Sequence, residues 1–376
     1  MTSAAWQQAR RILCVRLDYL GDVLMTTPAM RALRESSPGS RITLLTSSGG
    51  GAVAPFIPEI DDVIAYDAPW LKNGAPHPPA EDRKMIDLLA EGNFDAAVIF
   101  TVYSQNPLPS AMLCHLAGIP LRLAHSRENP YRLLTDWVTE TEPEQQVRHE
   151  VRRQLDLVAT VGAKTADERL SFRVLPEHRE RMQRVLRELA APTDRPWIML
   201  HPGATAASRR YPAASFVRAA RMLVERSNCL VLITGGAGER ELAASIASQV
   251  PGALSVADRF GLGELAALIE ACSLVICNNT GPAHLAAALG TPVVDLYALT
   301  NPQHTPWQVP AKVLFHDVDC RFCYKSVCPQ GHHACLQRVD PYSVADAGMA
   351  LLRGEGVSSG MPLINALQDI AAGARS

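Results

Sequence analysis

Ser273-Leu-Val-Ile-Cys-Asn-Asn-Thr-Gly-Pro-Ala-His-Leu-Ala-Ala-Ala-Leu-Gly290 is the stretch whose reading decides the fold. An apolar run ends at Cys277, a polar turn follows, and Pro282 suits the first turn of a helix, where a missing N–H costs nothing. Strand, short turn and helix in succession are the unit from which parallel sheets are wound. The free N–H groups and positive dipole end of such a helix attract anions. Asn279, Thr280 and Gly281 lie where they would meet a diphosphate, and Gly281 permits close backbone approach. The same residues also read as an ordinary capped turn, because Asn and Thr are good caps.

The same alternation runs out from this segment in both directions. Residues 197–200 read as a strand, and Phe216, Val217, Ala220, Leu223 and Val224 mark a helical face after Pro212. Strands are expected at 229–234, 274–277 and 293–296, and helices at 239–248, 263–271 and 282–289. Nearer the N-terminus, strands are expected at 12–17, 42–46, 63–66, 96–100 and around Leu121, with helices at 22–35, 80–90 and 110–117. Val147, Val151, Leu155 and Val158 then line one face of a helix, and 177–188 is a charged helical stretch. The turn-rich run at 191–196 divides the chain. The expectation is an α/β protein of two similar doubly wound domains, residues 1–190 and 191–353, with a loosely specified tail at 354–376. In such folds ligands bind at the C-terminal ends of the strands.

Length and composition agree with two domains. The 376 residues are 47% hydrophobic and 20% charged, more than one core usually holds. A formal charge of −2 argues against a broad nucleic-acid surface, so an anionic ligand must be held by a local basic cluster. No signal-peptide pattern and no bilayer-length apolar run is present, which sets the expectation of a cytoplasmic protein. Nine cysteines in such a chain suggest reduced thiols or a metal site rather than disulfides.

Two further loops carry candidate chemistry. His201-Pro-Gly-Ala-Thr-Ala-Ala-Ser-Arg-Arg-Tyr-Pro212 joins a strand to a helix and offers Thr205, Arg209 and Arg210. Guanidinium groups recognise phosphate oxygens in two-pronged fashion, although either arginine also reads as a solvated surface residue. Arg16-Leu-Asp-Tyr-Leu-Gly-Asp-Val-Leu-Met25 joins another strand to a helix, placing Asp22 at or next to the N-cap. A carboxylate there stays ionised, as a general base must, and it is equally a favoured cap; Asp18 is its rival in the same loop. The glycine-rich run 47–51 lacks the Gly-Lys-Ser/Thr ending of a P-loop, and no G-x-G-x-x-G follows the first strand. Asp317-Val-Asp319 looks like a metal-binding pair but runs into Cys320-x2-Cys323-x4-Cys328-x6-Cys335. These four thiols suit a structural zinc or iron site, or free thiols that gather a loop.

In order and spacing, five landmarks resemble glycosyltransferase family 9, the lipopolysaccharide core heptosyltransferases. They are Leu-Gly-Asp-Val with Thr26-Thr27-Pro28-Ala29, His149-Glu-Val, the Pro202-Gly loop ending Arg-Arg-Tyr-Pro, Asn-Thr-Gly-Pro-Ala-His284, and the late cysteines. The resemblance runs from about residue 11 to 352. It implies a GT-B fold of two facing Rossmann-like domains, the first for the acceptor and the second for the nucleotide sugar. It implies inverting transfer from ADP-heptose to a lipid-linked lipopolysaccharide core acceptor, with no cofactor required for catalysis. The protein would then work in the cytoplasm, peripherally at the inner face of the cytoplasmic membrane. Asp22 takes the place of the catalytic carboxylate, and Arg209 that of a diphosphate-binding basic residue, usually lysine. Thr205 and the Asn279-Thr280-Gly281 turn match phosphate loops, where Asp often stands in place of Asn279. Glu239 resembles an acidic group near the ribose, and the Phe260 region would lie near the adenine. Arg122, Arg127 and Arg132 are candidates for anionic acceptor sugars or plain surface residues. A GT-B-type sugar-nucleotide epimerase and a non-catalytic nucleotide-sugar-binding protein are the alternative readings.

Overall fold

The computed structural model describes residues 2–71 and 77–359, and the chain divides into two compact units, Met1–Arg173 and Val174–Ser376. The first unit holds β1 (Arg11–Arg16), β2 (Arg41–Thr46), β3 (Asp62–Ala65), β4 (Ala96–Ile99), β5 (Leu121–Ser126) and β6 (Asp136–Thr139). Their order is β3-β2-β1-β4-β5-β6, parallel throughout. Leu13, Val15, Ala97, Ile99 and Ala124 point into a core completed by Leu89, Phe94, Ala111 and Leu113 from the covering helices. Sheets buried on both faces need such near-continuous apolar strands.

The helix after β1, Leu20–Ser36, contains Pro28, whose missing N–H deprives the Leu24 carbonyl of its helical partner. The Thr27 hydroxyl donates to that carbonyl at 2.7 Å, and the Thr26 hydroxyl donates to the Asp22 carbonyl at 2.8 Å. The Thr-Thr-Pro signature therefore repairs its own break.

The second unit holds β7 (Trp197–His201), β8 (Leu230–Ile233), β9 (Leu254–Ser255), β10 (Leu274–Asn278), β11 (Val293–Leu296), β12 (Val309–Leu314) and β13 (Val357–Ser359). The order is β13-β12-β11-β10-β7-β8-β9, parallel except for the antiparallel β12–β13 pair. Phe216, Leu223, Ile233, Leu274, Ile276 and Val344 form its core. Gly290, at φ 75°, closes the helix Gly281–Leu289 in the left-handed conformation that glycine adopts without strain.

Several elements differ from the sequence expectation. Residues 357–359 are not tail but the edge strand β13; the rest of the expected tail, 360–376, lies outside the described residues. The helix Pro176–Glu188 belongs to the second unit, where it packs on the helix Leu262–Ala271. Arg179 meets Glu270 at 2.6 and 2.8 Å, and His178 lies 3.2 Å from Glu264. The compact units thus divide at Arg173/Val174, and the turn-rich run 191–196 joins two elements of one unit. Among the described residues no helix is long and apolar enough to cross a membrane.

Candidate active site

In each sheet the strand order reverses direction at one place, and the loops beyond those strand ends form a natural crevice. In the first unit this switch lies between β1 and β4, and in the second between β7 and β10. The candidate loops selected from sequence leave these strands.

At the end of β1 the Arg16 side chain is fully buried and shared among three carboxylates. Its Nη1 donates to Glu150 Oε1 at 2.7 Å and its Nη2 to Asp22 Oδ1 at 3.1 Å, while Nε lies 2.9 Å from Asp18 Oδ2. Asp22 is not the N-cap of its helix. That position is Tyr19, and Asp22 stands three residues later, accepting from the Tyr19 N–H at 3.3 Å through Oδ2. Asp18 is steadied from beyond β4, where Gln105 Nε2 donates to its Oδ1 at 2.6 Å. A cavity of about 240 Å³ opens here, lined by Asp18, Trp70, Ser104 and Gln105 among others.

Glu150 is fully buried, whereas the Asp18 and Asp22 side chains remain 18% and 19% exposed. Burial pushes Asp18 up to about 6 against the pull of Arg16. Burial likewise raises Asp22 above the usual carboxylate range, with Arg16 opposing and Glu150 adding to the rise. Burial alone would weaken Arg16 as a cation, but Asp18, Glu150 and Asp22 reverse that and keep it charged. The result is a solvent-reachable carboxylate pair that accepts protons more readily than free aspartates.

In the second unit, Asn278 ties the two switch-point loops together. Its Nδ2 donates to the carbonyls of Pro202 at 2.8 Å and Gly203 at 3.3 Å, and its Oδ1 accepts from the Tyr211 N–H at 3.0 Å. Thr280 precedes the helix Gly281–Leu289 and uses its hydroxyl on the Asn278 carbonyl at 3.1 Å rather than on a helix N–H. Asn279 is buried, donating to Asp295 Oδ2 at 3.2 Å and to the His304 carbonyl at 3.0 Å. It braces the turn instead of presenting its amide to a ligand. Burial pushes Asp295 up to about 7, against the Asn279 hydrogen bond and the nearby charge of Arg209. Glu239 accepts from the Gly236 N–H at 2.8 Å and packs so closely on Gly203 that a Cβ there would collide with its carboxylate.

The two arginines of this loop separate. Arg210 is spent on the loop, donating to the Ala204 carbonyl at 2.7 Å and the Thr205 carbonyl at 3.4 Å. Arg209 is half-buried; its backbone N–H donates to the Ala206 carbonyl at 3.0 Å, but its side chain makes no hydrogen bond or ion pair to another described residue. Thr205 is exposed at the tip.

Other sequence candidates turn out structural. Arg122 donates to the carbonyls of Leu133 at 2.7 Å, Arg132 at 2.9 Å and Ile119, holding β5 to the following loop. Arg127 pairs with Glu144 at 2.9 Å and donates to the Glu142 carbonyl. Asp317 is held by Arg321 through two 2.7 Å contacts. Cys320, Cys323, Cys328 and Cys335 are free thiols. Cys320 Sγ lies 3.7 Å from His332 Nε2, and backbone N–H groups of residues 330–333 overcome burial to draw the Cys328 thiol below its usual range. Yet among the described residues no three His, Cys, Asp or Glu side chains converge to hold a metal ion. The zinc or iron expectation for the cysteines has no support in this geometry.

Sequence reasoning missed Arg16 as the hub, Glu150 as its buried partner, and Asn278 and Asp295. A signal existed for the first two. An arginine closing an apolar strand, and a glutamate on the inner face of a helix, each demand a buried counter-charge.

A model of glycosyltransferase family 9 (heptosyltransferase) matches residues 83–334. Lipopolysaccharide heptosyltransferase 2 of Salmonella typhimurium is 26% identical over 361 residues, 92% of this chain and 100% of that one. The crystal structure of the glycosyl transferase family 9 from Veillonella parvula superposes with a TM-score of 0.76 at 24% identity, covering 92% of this chain and 98% of that chain. The E. coli ADP-heptose lps heptosyltransferase II gives 0.71 at 24% identity over 92% and 99%. These two structures share the fold, a GT-B-type pair of doubly wound α/β units. With the family pattern matched from the first unit into the second, the chain belongs to glycosyltransferase family 9, the heptosyltransferases.

Proposed function

We propose that this enzyme transfers heptose from ADP-heptose to a lipopolysaccharide core acceptor, with inversion, by direct displacement. The observation that carries the reading is the Arg16-held carboxylate pair at the β1–β4 switch, in a chain of which 92% is matched by lipopolysaccharide heptosyltransferase 2. The first unit takes the acceptor and the second takes the nucleotide sugar. Asp22 accepts the proton of the acceptor hydroxyl, whose oxygen bonds to the anomeric carbon from the side opposite the diphosphate. The anomeric carbon–oxygen bond breaks, and ADP leaves with the electron pair. Arg209, Thr205 and the amides at Thr280 and Gly281 stabilise the charge that develops there. Glu239 serves the ribose end. No step runs through a cofactor, and the cysteines are assigned to the fold. A lipid-linked acceptor places the work at the inner face of the cytoplasmic membrane, with the protein as a peripheral partner on the cytoplasmic side.

The donor assignment is tested by thermal stabilisation with ADP, UDP and GDP at equal concentration, since tighter binding to the folded state raises stability more. ADP is expected to stabilise most. Arg209→Ala should weaken ADP by about 1.5–3 kcal/mol, the range for hydrogen bonds to charged groups. A preference for UDP would overturn the donor, and unchanged ADP affinity in a folded Arg209→Ala variant would remove Arg209 from the diphosphate.

A further inference from the structure

The Arg16 cluster contains one guanidinium and three carboxylates, and only two of the three reach solvent. The third, Glu150, is fixed from its own side. It opens the helix Glu150–Ala159, which packs on the Asp22 helix, and Gln154 Nε2 donates to its Oε1 at 2.7 Å and to the Thr101 carbonyl at 3.0 Å. His149 caps that helix by accepting from the Val151 N–H at 3.2 Å. Arg153, one turn on, is occupied by Glu140 at 2.5 Å, and Arg148 by Glu142 at 2.5 Å and Asp156 at 2.9 Å. His125 sits against the Arg153 carbonyl at 3.4 Å, and burial lowers its proton affinity so that it adds no charge. Glu150 also acts on Arg153, where its charge and that of Glu140 oppose the effect of burial, but Arg16 is the cation to which it is hydrogen-bonded and which it shares with Asp18 and Asp22.

We propose that Glu150 is a positioning residue for the transfer reaction: by claiming Nη1 of Arg16 it fixes Nη2 on Asp22 and leaves the outer carboxylates short of positive charge. This rests on Asp22 being the base. Its consequence is a base that is both oriented and proton-hungry. A lone Arg16–Asp22 pair would leave the guanidinium unanchored on its inner side and would hold the proton affinity of the carboxylate down. The buried glutamate separates the two effects.

The test is the pH profile of kcat/KM for Glu150→Gln and Glu150→Asp beside the unaltered enzyme. Glu150→Gln keeps the shape and an acceptor for Arg16 while deleting the charge. The limb on which activity is lost as pH falls should move to lower pH by about one unit. Turnover on the plateau should fall about three- to ten-fold, because a weaker base accepts the proton less well. Glu150→Asp keeps the charge but shortens the reach, so the limb should stay in place while kcat falls. An unmoved limb in Glu150→Gln, or unchanged kcat in Glu150→Asp, would overturn the proposal. Failure of the base assignment itself would be seen separately, as retained turnover in Asp22→Asn.

Discussion

Asp22→Asn is expected to lower turnover by about 10²–10⁴-fold, the usual worth of a positioned base, while leaving ADP affinity unchanged. The substitution is mild for the fold. An asparagine oxygen can accept from the Tyr19 N–H or from Arg16, as Oδ2 and Oδ1 of Asp22 do now. It also relieves a cluster in which carboxylates outnumber cations, so stability should hold. The loss should appear mainly in kcat, because the proton moves only in the transition state. In the unaltered enzyme the acidic limb of kcat/KM should lie above the ordinary aspartate range, because burial raises Asp22 against the pull of Arg16. Asp18 and Asp22 are both raised by burial, share Arg16 and titrate as a pair. Asp18→Asn is the control: it lines the cavity and is held by Gln105. Abolished turnover in Asp18→Asn with normal turnover in Asp22→Asn would transfer the role to Asp18.

Arg16→Met should be the most destabilising single change in the first unit, at about 3–5 kcal/mol, the cost of leaving buried charge without its partner. Methionine fills much of the same volume, so the loss measures charge rather than a cavity. The sign of the pH dependence identifies it. Without Arg16 the surviving carboxylates have folded-state pKa values above their unfolded ones, so the folded state binds the extra protons. The deficit should therefore be large at pH 8 and shrink as pH falls towards 5. Urea unfolding of both proteins at the two pH values reads this directly. An equal deficit at both would mean that Arg16 matters for packing alone.

Much of this architecture was legible because doubly wound sheets write themselves as apolar runs punctuated by helices. Strands β1, β4, β7, β10 and β11 are nearly wholly buried, and the sequence pattern marks them. The elements that escaped are those that tertiary context makes. β6 alternates between exposed and half-buried residues at a sheet edge, and β9 is two residues long. β12 contains Pro310, which argues against a strand because it removes a donor; it nevertheless pairs with β11 on one side and β13 on the other. The helix Pro341–Leu352, which supplies Val344 and Leu351 to the second core, was also passed over. At the site, the loops were found from their small residues and caps, but partners distant in sequence were not. Glu150 reaches Arg16 across 134 positions, and no local pattern carries that pairing. Asn279 illustrates the converse. Its place in the turn was clear, whereas its use as a brace to Asp295 and His304 depends on packing.

Release of ADP from ADP-heptose, followed with and without a heptose-bearing lipopolysaccharide core acceptor, tests the transferase account most directly. The account predicts ADP appearing in step with glycosylated acceptor, one for one, and a near-silent reaction when acceptor is withheld. Conversion of the nucleotide sugar without acceptor and without ADP release would instead mark an epimerase. Tight binding of ADP-heptose with no ADP release under any acceptor would mark a binding protein, and either result would contradict the transferase account.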